Sequence, residues 1–295
     1  ETGNDPETWL ARAEANIHRQ RAIIPETEKR IRWHDADLKR KTPWALVYFH
    51  GFSATRQEIA PVGEMIARAL GANLFETRLA GHGHATDPLK DVLAEHWLAD
   101  GAEALAIGAA IGDKLIVMGT STGATLVLAM VDHPAFDRVS DIVLLSPNFA
   151  PVDPKSEYLT WPGGPQLAHL VAGSTRSWTA HNALQARYWS TTYPMDAVIE
   201  MMRLVKFVRG KLPMSLEQGV LTVYSPEDTV ISVDRMLASL EQISSPRKRL
   251  FVIPGSDDPG NHVLAGDIMA PQNNELLSRT VVDFVRAADY GVLAD

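Results

Sequence analysis

A doubly wound, mostly parallel α/β sheet is the fold class this sequence predicts, and three observations carry the prediction. Short apolar runs at residues 45–49, 115–118, 142–145, 220–224 and 250–253 are nearly continuous, in the manner of strands buried on both faces. Helical spacings of apolar residues fill most of the intervals, giving the strand, helix, strand rhythm of parallel crossovers. The rhythm breaks once, over residues 147–212, where prolines and aromatics take over. Ligands of such sheets bind outside the carboxyl ends of the strands. The residues just after each apolar run are therefore the places to look for function.

In chain order, residues 5–22 read as an amphipathic helix with Trp9, Leu10, Ala13, Ile17 and Ala22 on its apolar side. Residues 28–34 alternate Lys29, Ile31 and Trp33 against Arg30, Arg32 and His34, a half-buried strand pattern. The strand at 45–49 is followed by a helix over 59–70 stopped by Gly71, then a strand over 72–77. A helix over 92–111, packed through Trp97, Leu98, Ala102, Leu105 and Ile111, leads into the strand at 115–118. Strands at 140–146, 220–224 and 250–253 and a closing helix over 280–287 complete the series. Between the first two of these three strands lies the excursion at 147–212. It opens on Pro147, Pro151, Pro154, Pro162 and Pro165 and contains a helix after Pro194 with Val198, Met201, Met202, Val205 and Val208 on one face. The domain organisation expected is a helical N-terminal extension (1–27), a core in two pieces (28–146 and 213–295) and a cap inserted at 147–212, before the last two strands.

Bulk composition narrows the function. A chain of 295 residues that is 45% hydrophobic is long enough for a full core. Its formal net charge of −8 argues against nucleic acid or an anionic membrane as the main partner, since either selects a basic face. With no cysteine there is no disulfide, thiolate nucleophile or cysteine zinc site. No apolar run reaches the ~18 residues of a membrane span. A first residue of glutamate rather than methionine suggests a processed or tagged chain, and the compartment expected is cytoplasmic or, if a leader was removed, periplasmic or secreted.

The chemistry centres on Gly119-Thr120-Ser121-Thr122-Gly123. An apolar run, Gly-x-Ser-x-Gly and a helix pattern in succession match a nucleophile elbow, in which a sharp strand-to-helix turn lifts the serine hydroxyl above the sheet. Ser121 is the candidate nucleophile. After the strand at 45–49 comes His50-Gly51-Phe52-Ser53, where a glycine lets the backbone approach a substrate oxygen; the Phe52 and Thr122 N–H groups are the candidate oxyanion donors. The strand at 220–224 ends in Ser225-Pro226-Glu227-Asp228, and Asp228, with Glu227 as fallback, is the candidate to orient a histidine; capping a helix is its competing role. His262 trails the final strand and is the candidate base. The order Ser121, Asp228, His262 is the one that accompanies a nucleophile elbow rather than that of the chymotrypsin or subtilisin types.

Other candidates are weaker. His82 and His84 alternate in a glycine-rich loop without a third ligand at metal spacing, so no metal is expected, and Asp257 and Asp258 read as a solvated turn rather than a calcium site. Aromatics and methionines of the 147–212 excursion are placed to roof an apolar pocket. Trp178, Trp189, Met201, Met202 and Val205 are its candidate substrate contacts, with core packing as the competing role of each, and His50 and Gly51 are the contacts from the loop below.

These motifs together resemble the α/β-hydrolase superfamily, and within it the bacterial carboxylesterases and monoacylglycerol lipase-like enzymes. His50-Gly51-Phe52, Arg78-Leu79-Ala80-Gly81-His82-Gly83, the Ser121 elbow, Pro226-Glu227-Asp228-Thr229-Val230 and His262-Val263 stand in that superfamily's order over residues 28–290. Two features depart from it, the helix at 5–22 and the long acidic stretch at 256–261. The resemblance implies a serine hydrolase that needs no cofactor and acts through an acyl-enzyme on short- to medium-chain acyl esters or monoglycerides. One scaffold hosts many chemistries, so amide, thioester, lactone and carbon-carbon bond hydrolysis stay open, as does a ligand-binding receptor without turnover. Epoxide hydrolases and dehalogenases are disfavoured because those scaffolds place aspartate where Ser121 stands.

Overall fold

A computed structural model describes residues 5–289; residues 1–4 and 290–295, the ends of the first and last expected segments, lie outside the described residues. The chain runs α1 (Pro6–Gln20), β1 (Arg30–Arg32), β2 (Thr42–Phe49), α2 (Val62–Leu70), β3 (Asn73–Glu76), α3 (Ala94–Ile111), β4 (Gly112–Thr120), α4 (Thr122–Ala129) and β5 (Val139–Leu145). It then leaves the sheet through α5 (Gly164–Ala172), β6 (Thr175–Ser177), α6 (Ala183–Tyr188), β7 (Thr192–Pro194), α7 (Met195–Arg209) and β8 (Met214–Ser215). It returns with β9 (Gly219–Tyr224), α8 (Val233–Glu241), β10 (Ile243–Ser244), β11 (Lys248–Val252) and α9 (Asn274–Asp289).

The main sheet has seven strands in the order β1-β3-β2-β4-β5-β9-β11, parallel throughout except for β1 against β3. The predicted doubly wound sheet is what forms, because its central strands are apolar on both faces. In β2, Ala45, Val47 and Phe49 enter one core and Leu46 and Tyr48 the other; in β4, Leu115 and Val117 part from Ile116 and Met118 in the same way. The first core is closed by α3, α4 and α7 through Trp97, Leu105, Leu126, Met202 and Val205. The second is closed by α2 and α9 through Val62, Ile66, Leu277 and Val281.

Several boundaries differ from the sequence reading. The strand expected at 28–34 is a three-residue edge, Arg30–Arg32, and Lys29 just before it turns inward to ion-pair with Asp100 at 3.3 Å and with Glu103. In α1, Leu10 and Glu14 are buried while Ala22 lies beyond the helix and is exposed; Glu14 is there because Arg78 meets it at 2.8 Å. The helix expected at 59–70 begins at Val62, with Ile59 in the turn that precedes it, and the last helix begins at Asn274 rather than 280.

Candidate active site

The positions singled out in the sequence collect at the carboxyl ends of β2, β4, β9 and β11. At the end of β4, Ser121 sits at φ 52° and ψ −115°, a conformation a non-glycine residue holds only when its surroundings over-determine it. Its N–H donates to the Leu145 carbonyl at 2.8 Å, and its own carbonyl accepts from the Thr125 N–H at 3.1 Å. The flanking glycines are required by space. A Cβ on Gly119 would stand 2.5 Å from the Gly123 carbonyl carbon, and one on Gly123 would stand 2.2 Å from the Phe49 carbonyl oxygen.

His262 follows β11, and its Nδ1 lies 2.7 Å from Asp228 Oδ2. Asp228 also ties down the turn that follows it. Its Oδ1 accepts the Val230 and Ile231 N–H groups at 2.8 and 3.1 Å, which locks the carboxylate while Oδ2 faces the imidazole. Helix α8 takes its cap from Ser232 instead, and Glu227, the fallback, is exposed. Burial disfavours the charged imidazole, but the Asp228 carboxylate, its hydrogen bond, and the more distant Glu58 and Asp258 outweigh this and raise His262 above its ordinary value.

Ser121 and His262 line one cavity of about 550 Å³ together with Gly51, Phe52 and Thr122. Two of three successive N–H groups in the loop after β2 are already engaged: Gly51 donates to Glu58 Oε2 at 2.8 Å and Ser53 to His82 Nε2 at 3.1 Å. The Phe52 N–H between them has no protein partner among the described residues. The Thr122 N–H is one of the unpaired donors at the first turn of α4, whose N-cap offers no side-chain acceptor. Two free donors, a serine hydroxyl and a carboxylate-oriented imidazole around one cavity can bind a carbonyl oxygen that gains charge and move a proton to and from the serine.

Corrections to the expected contacts follow from the same geometry. Trp178, Trp189, Met201 and Gly51 line the cavity; Met202, Val205 and His50 do not. Met202 and Val205 belong to the core under α7. The four share one face of α7: Val198 and Met201 line the cavity, whereas Met202, at the other edge of that face from Met201, and Val205, about two turns beyond Val198, pack in the core. His50 is fully buried and structural: its Nε2 accepts the Leu79 N–H at 3.0 Å, and its Nδ1 meets the Gly51 carbonyl at 2.9 Å. With His82 accepting from Ser53, the two imidazoles lace the loops after β2 and β3 together. Burial pushes His50 down to about 4 and His82 well below its ordinary value, so both are neutral acceptors near pH 7.

Asp258, read from sequence as part of a solvated turn, is buried, and its Oδ2 accepts the His262 and Val263 N–H groups, each at 2.9 Å. Tyr193, one of the excursion's aromatics, also lines the cavity, its ring 5.1 Å from Phe52. Cavity residues the sequence reading passed over include Asn148, Arg176, Gln185 and Glu58, and nothing in the local sequence marks them.

Comparison with known proteins agrees with this architecture. Residues 46–273 match the model of the alpha/beta hydrolase family. A thermostable monoacylglycerol lipase of Bacillus sp. (strain H-257) is 24% identical over 214 residues, 72% of this chain and 82% of that protein. Among solved structures, one from work on LipS and LipT, two metagenome-derived lipolytic enzymes, superposes with a TM-score of 0.72 at 20% identity, covering 90% of this chain and 99% of that one. A soluble variant of the monoglyceride lipase from Saccharomyces cerevisiae gives 0.63 at 12% identity, over 87% and 90% of the two chains. At these identities the structural likenesses speak to fold alone. Among the described residues, no helix is long and apolar enough to cross a membrane.

Proposed function

The chain belongs to the alpha/beta hydrolase family, and from that membership we propose that it is a serine hydrolase of carboxylic esters working through an acyl-enzyme. The observation that carries the reading is the 2.7 Å contact between His262 Nδ1 and Asp228 Oδ2 beside a cavity that Ser121 also lines. In this reading His262 Nε2 takes the proton of Ser121 Oγ as that oxygen bonds to the ester carbonyl carbon. The carbonyl electron pair moves onto oxygen, where the Phe52 and Thr122 N–H groups receive the charge. Collapse expels the alkoxide, which leaves with the proton from His262. Water, deprotonated by the same imidazole, then adds to the acyl carbon and frees Ser121 and the acid. Asp228 stays ionised throughout, holding the tautomer and stabilising the imidazolium.

Residues 147–212 act as the cap on a core made of 28–146 and 213–295. Trp178, Trp189, Val198 and Met201 supply an apolar wall, and a volume of about 550 Å³ suits a short- to medium-chain acyl ester or a monoglyceride. The Bacillus relative, whose name is that of a monoacylglycerol lipase, supports that substrate class.

The test is hydrolysis of p-nitrophenyl esters of graded chain length by the wild type, Ser121→Ala and His262→Ala. Both variants should keep the fold and lose nearly all turnover, since nucleophile and base act as a unit. Near-wild-type hydrolysis by either variant would remove the assignment.

A further inference from the structure

Beneath the loop that carries Phe52 lies a carboxyl group with no part in the proton transfers above. Glu58 sits in the short 3-10 turn Arg56–Glu58, is only 3% exposed, and still lines the cavity. Its Oε2 accepts two hydrogen bonds, from the Gly51 N–H at 2.8 Å and from the Tyr48 hydroxyl at 2.9 Å. The Tyr48 hydroxyl in turn lies 3.0 Å from Thr120 Oγ1. With the tyrosine proton committed to Glu58, the Thr120 hydroxyl is the donor in that last contact.

The ends of this chain give it meaning. Gly51 immediately precedes Phe52, and Thr120 immediately precedes Ser121 and its neighbour Thr122. Side chains from β2 and from the turn at 56–58 thus connect the backbones that carry the two candidate oxyanion donors. Tyr48, Glu58 and Thr120 are all buried, so the bonds are shielded from competing water. Gly51 is part of the arrangement, because a Cβ there would stand 2.8 Å from Glu58 Oε1. The Glu58 backbone is wedged as well: its carbonyl oxygen would lie 2.5 Å from a Cβ on Gly266, four residues past His262.

We propose that Glu58 is a positioning residue of the oxyanion site: through Gly51 on one side and Tyr48 and Thr120 on the other, it fixes the spacing between the Phe52 and Thr122 N–H groups. The inference rests on the reading of Ser121 as nucleophile. It needs an acceptor oxygen at Oε2 rather than a charge there. Burial raises the carboxyl to about 7 against the pull of the Gly51 N–H, the Tyr48 hydroxyl and His262, and Asp258 adds to the rise. A neutral amide that offers the same oxygen should therefore substitute for it.

The experiment compares Glu58→Ala, Glu58→Gln and Tyr48→Phe in ester hydrolysis and in affinity for a trifluoromethyl ketone, whose adduct with serine carries an oxyanion. Loss of one oxyanion donor lowers kcat by about 10²- to 10³-fold, and a misplaced donor should cost part of that. We expect Glu58→Ala to lose about 30- to 100-fold in kcat and Tyr48→Phe about 10-fold, with KM within about 3-fold, because the interaction is realised only in the transition state. Ketone affinity should fall in step with kcat. Glu58→Gln should return kcat to within about 3-fold of the wild type at pH 7. Unchanged kcat in Tyr48→Phe and Glu58→Ala, losses confined to KM, or failure of Glu58→Gln to restore kcat would overturn the inference. If Glu58→Ala does not fold, Tyr48→Phe and Glu58→Gln decide alone. A wild type without Ser121-dependent turnover overturns the functional reading as well, whereas a flat series on an active wild type overturns this inference only.

Discussion

Asp258 holds His262 by its main chain: one carboxylate oxygen accepts the N–H of His262 at 2.9 Å and that of Val263 at the same distance. The other oxygen accepts the Gly260 N–H at 3.3 Å, so a single side chain gathers the turn that delivers the imidazole. Asp258→Ala would leave buried donors unpaired, at about 1 to 3 kcal/mol each. A net loss of about 3 kcal/mol corresponds to a fall in melting temperature of roughly 5 to 10 °C for a chain of this size. Turnover should fall too, because Asp228 would meet a less constrained ring. Thermal melts and kcat measured on the same preparation check this; an unchanged melting curve would show that the turn holds itself.

Asp228 has two duties, and one substitution separates them. Asn keeps an oxygen for the Val230 and Ile231 N–H groups but replaces the charge facing His262 Nδ1. Asp228→Asn should therefore melt close to the wild type while kcat falls about 10³- to 10⁴-fold, the size seen when such an imidazole is left in the wrong tautomer. Activity within a factor of about ten of the wild type would reduce Asp228 to the turn-holding role that its Oδ1 fills.

What the sequence made legible was set by how locally each constraint acts. Ser121 could be read because the turn around it must exclude side chains at positions 119 and 123, and glycine is the only residue that satisfies this. Asp228 and His262 followed from chain order after strands whose apolar runs are unambiguous. Glu58 was not legible, since an acid in a polar stretch reads as solvated until the fold brings Tyr48 and Gly51 over it. Asp258 was hidden for a related reason: Asp-Pro-Gly looks like a surface turn, and only the inward rotation of one carboxylate toward residues 262 and 263 makes it structural. Met202 and Val205 were misplaced because all four apolar residues fall within about 100° on one face of α7, so periodicity alone does not part the cavity-lining Val198 and Met201 from the core contacts.

The pH dependence follows from the groups around His262. Burial works against its protonation, but Asp228, Glu58 and Asp258 together raise it above 6.5. The base must be neutral to accept the Ser121 proton, so kcat/KM for a non-ionising ester should rise with pH along a limb whose midpoint lies above 6.5. Asp228→Asn should move the residual activity's midpoint downward. The effect on stability has the opposite sense: a folded value above the unfolded one stabilises the protein below pH 6.5 and is lost as pH rises through the folded value. A kcat/KM limb with its midpoint below 6.5 would show that the carboxylates do not outweigh burial.

Gly123 offers a test of the turn that does not depend on the chemistry. A methyl group there would meet the Phe49 and His50 carbonyl oxygens at 2.2 and 2.6 Å, backbone atoms in the strand end and loop that also position Phe52. Neither oxygen can rotate away as a side chain could, so the clash must be relieved by moving β2 against α4. Gly71 makes the control. It has φ 65° and nothing within 4 Å of an added Cβ, so Gly71→Ala carries only the left-handed backbone penalty of about 1 to 2 kcal/mol. Gly123→Ala should therefore cost more than about 4 kcal/mol or abolish folding, placing it among the overpacked substitutions at the severe end. Urea unfolding of the two variants beside the wild type measures the difference. If Gly123→Ala were no less stable than Gly71→Ala, the close packing of strand, turn and helix around Ser121 would not be the constraint that the glycine serves.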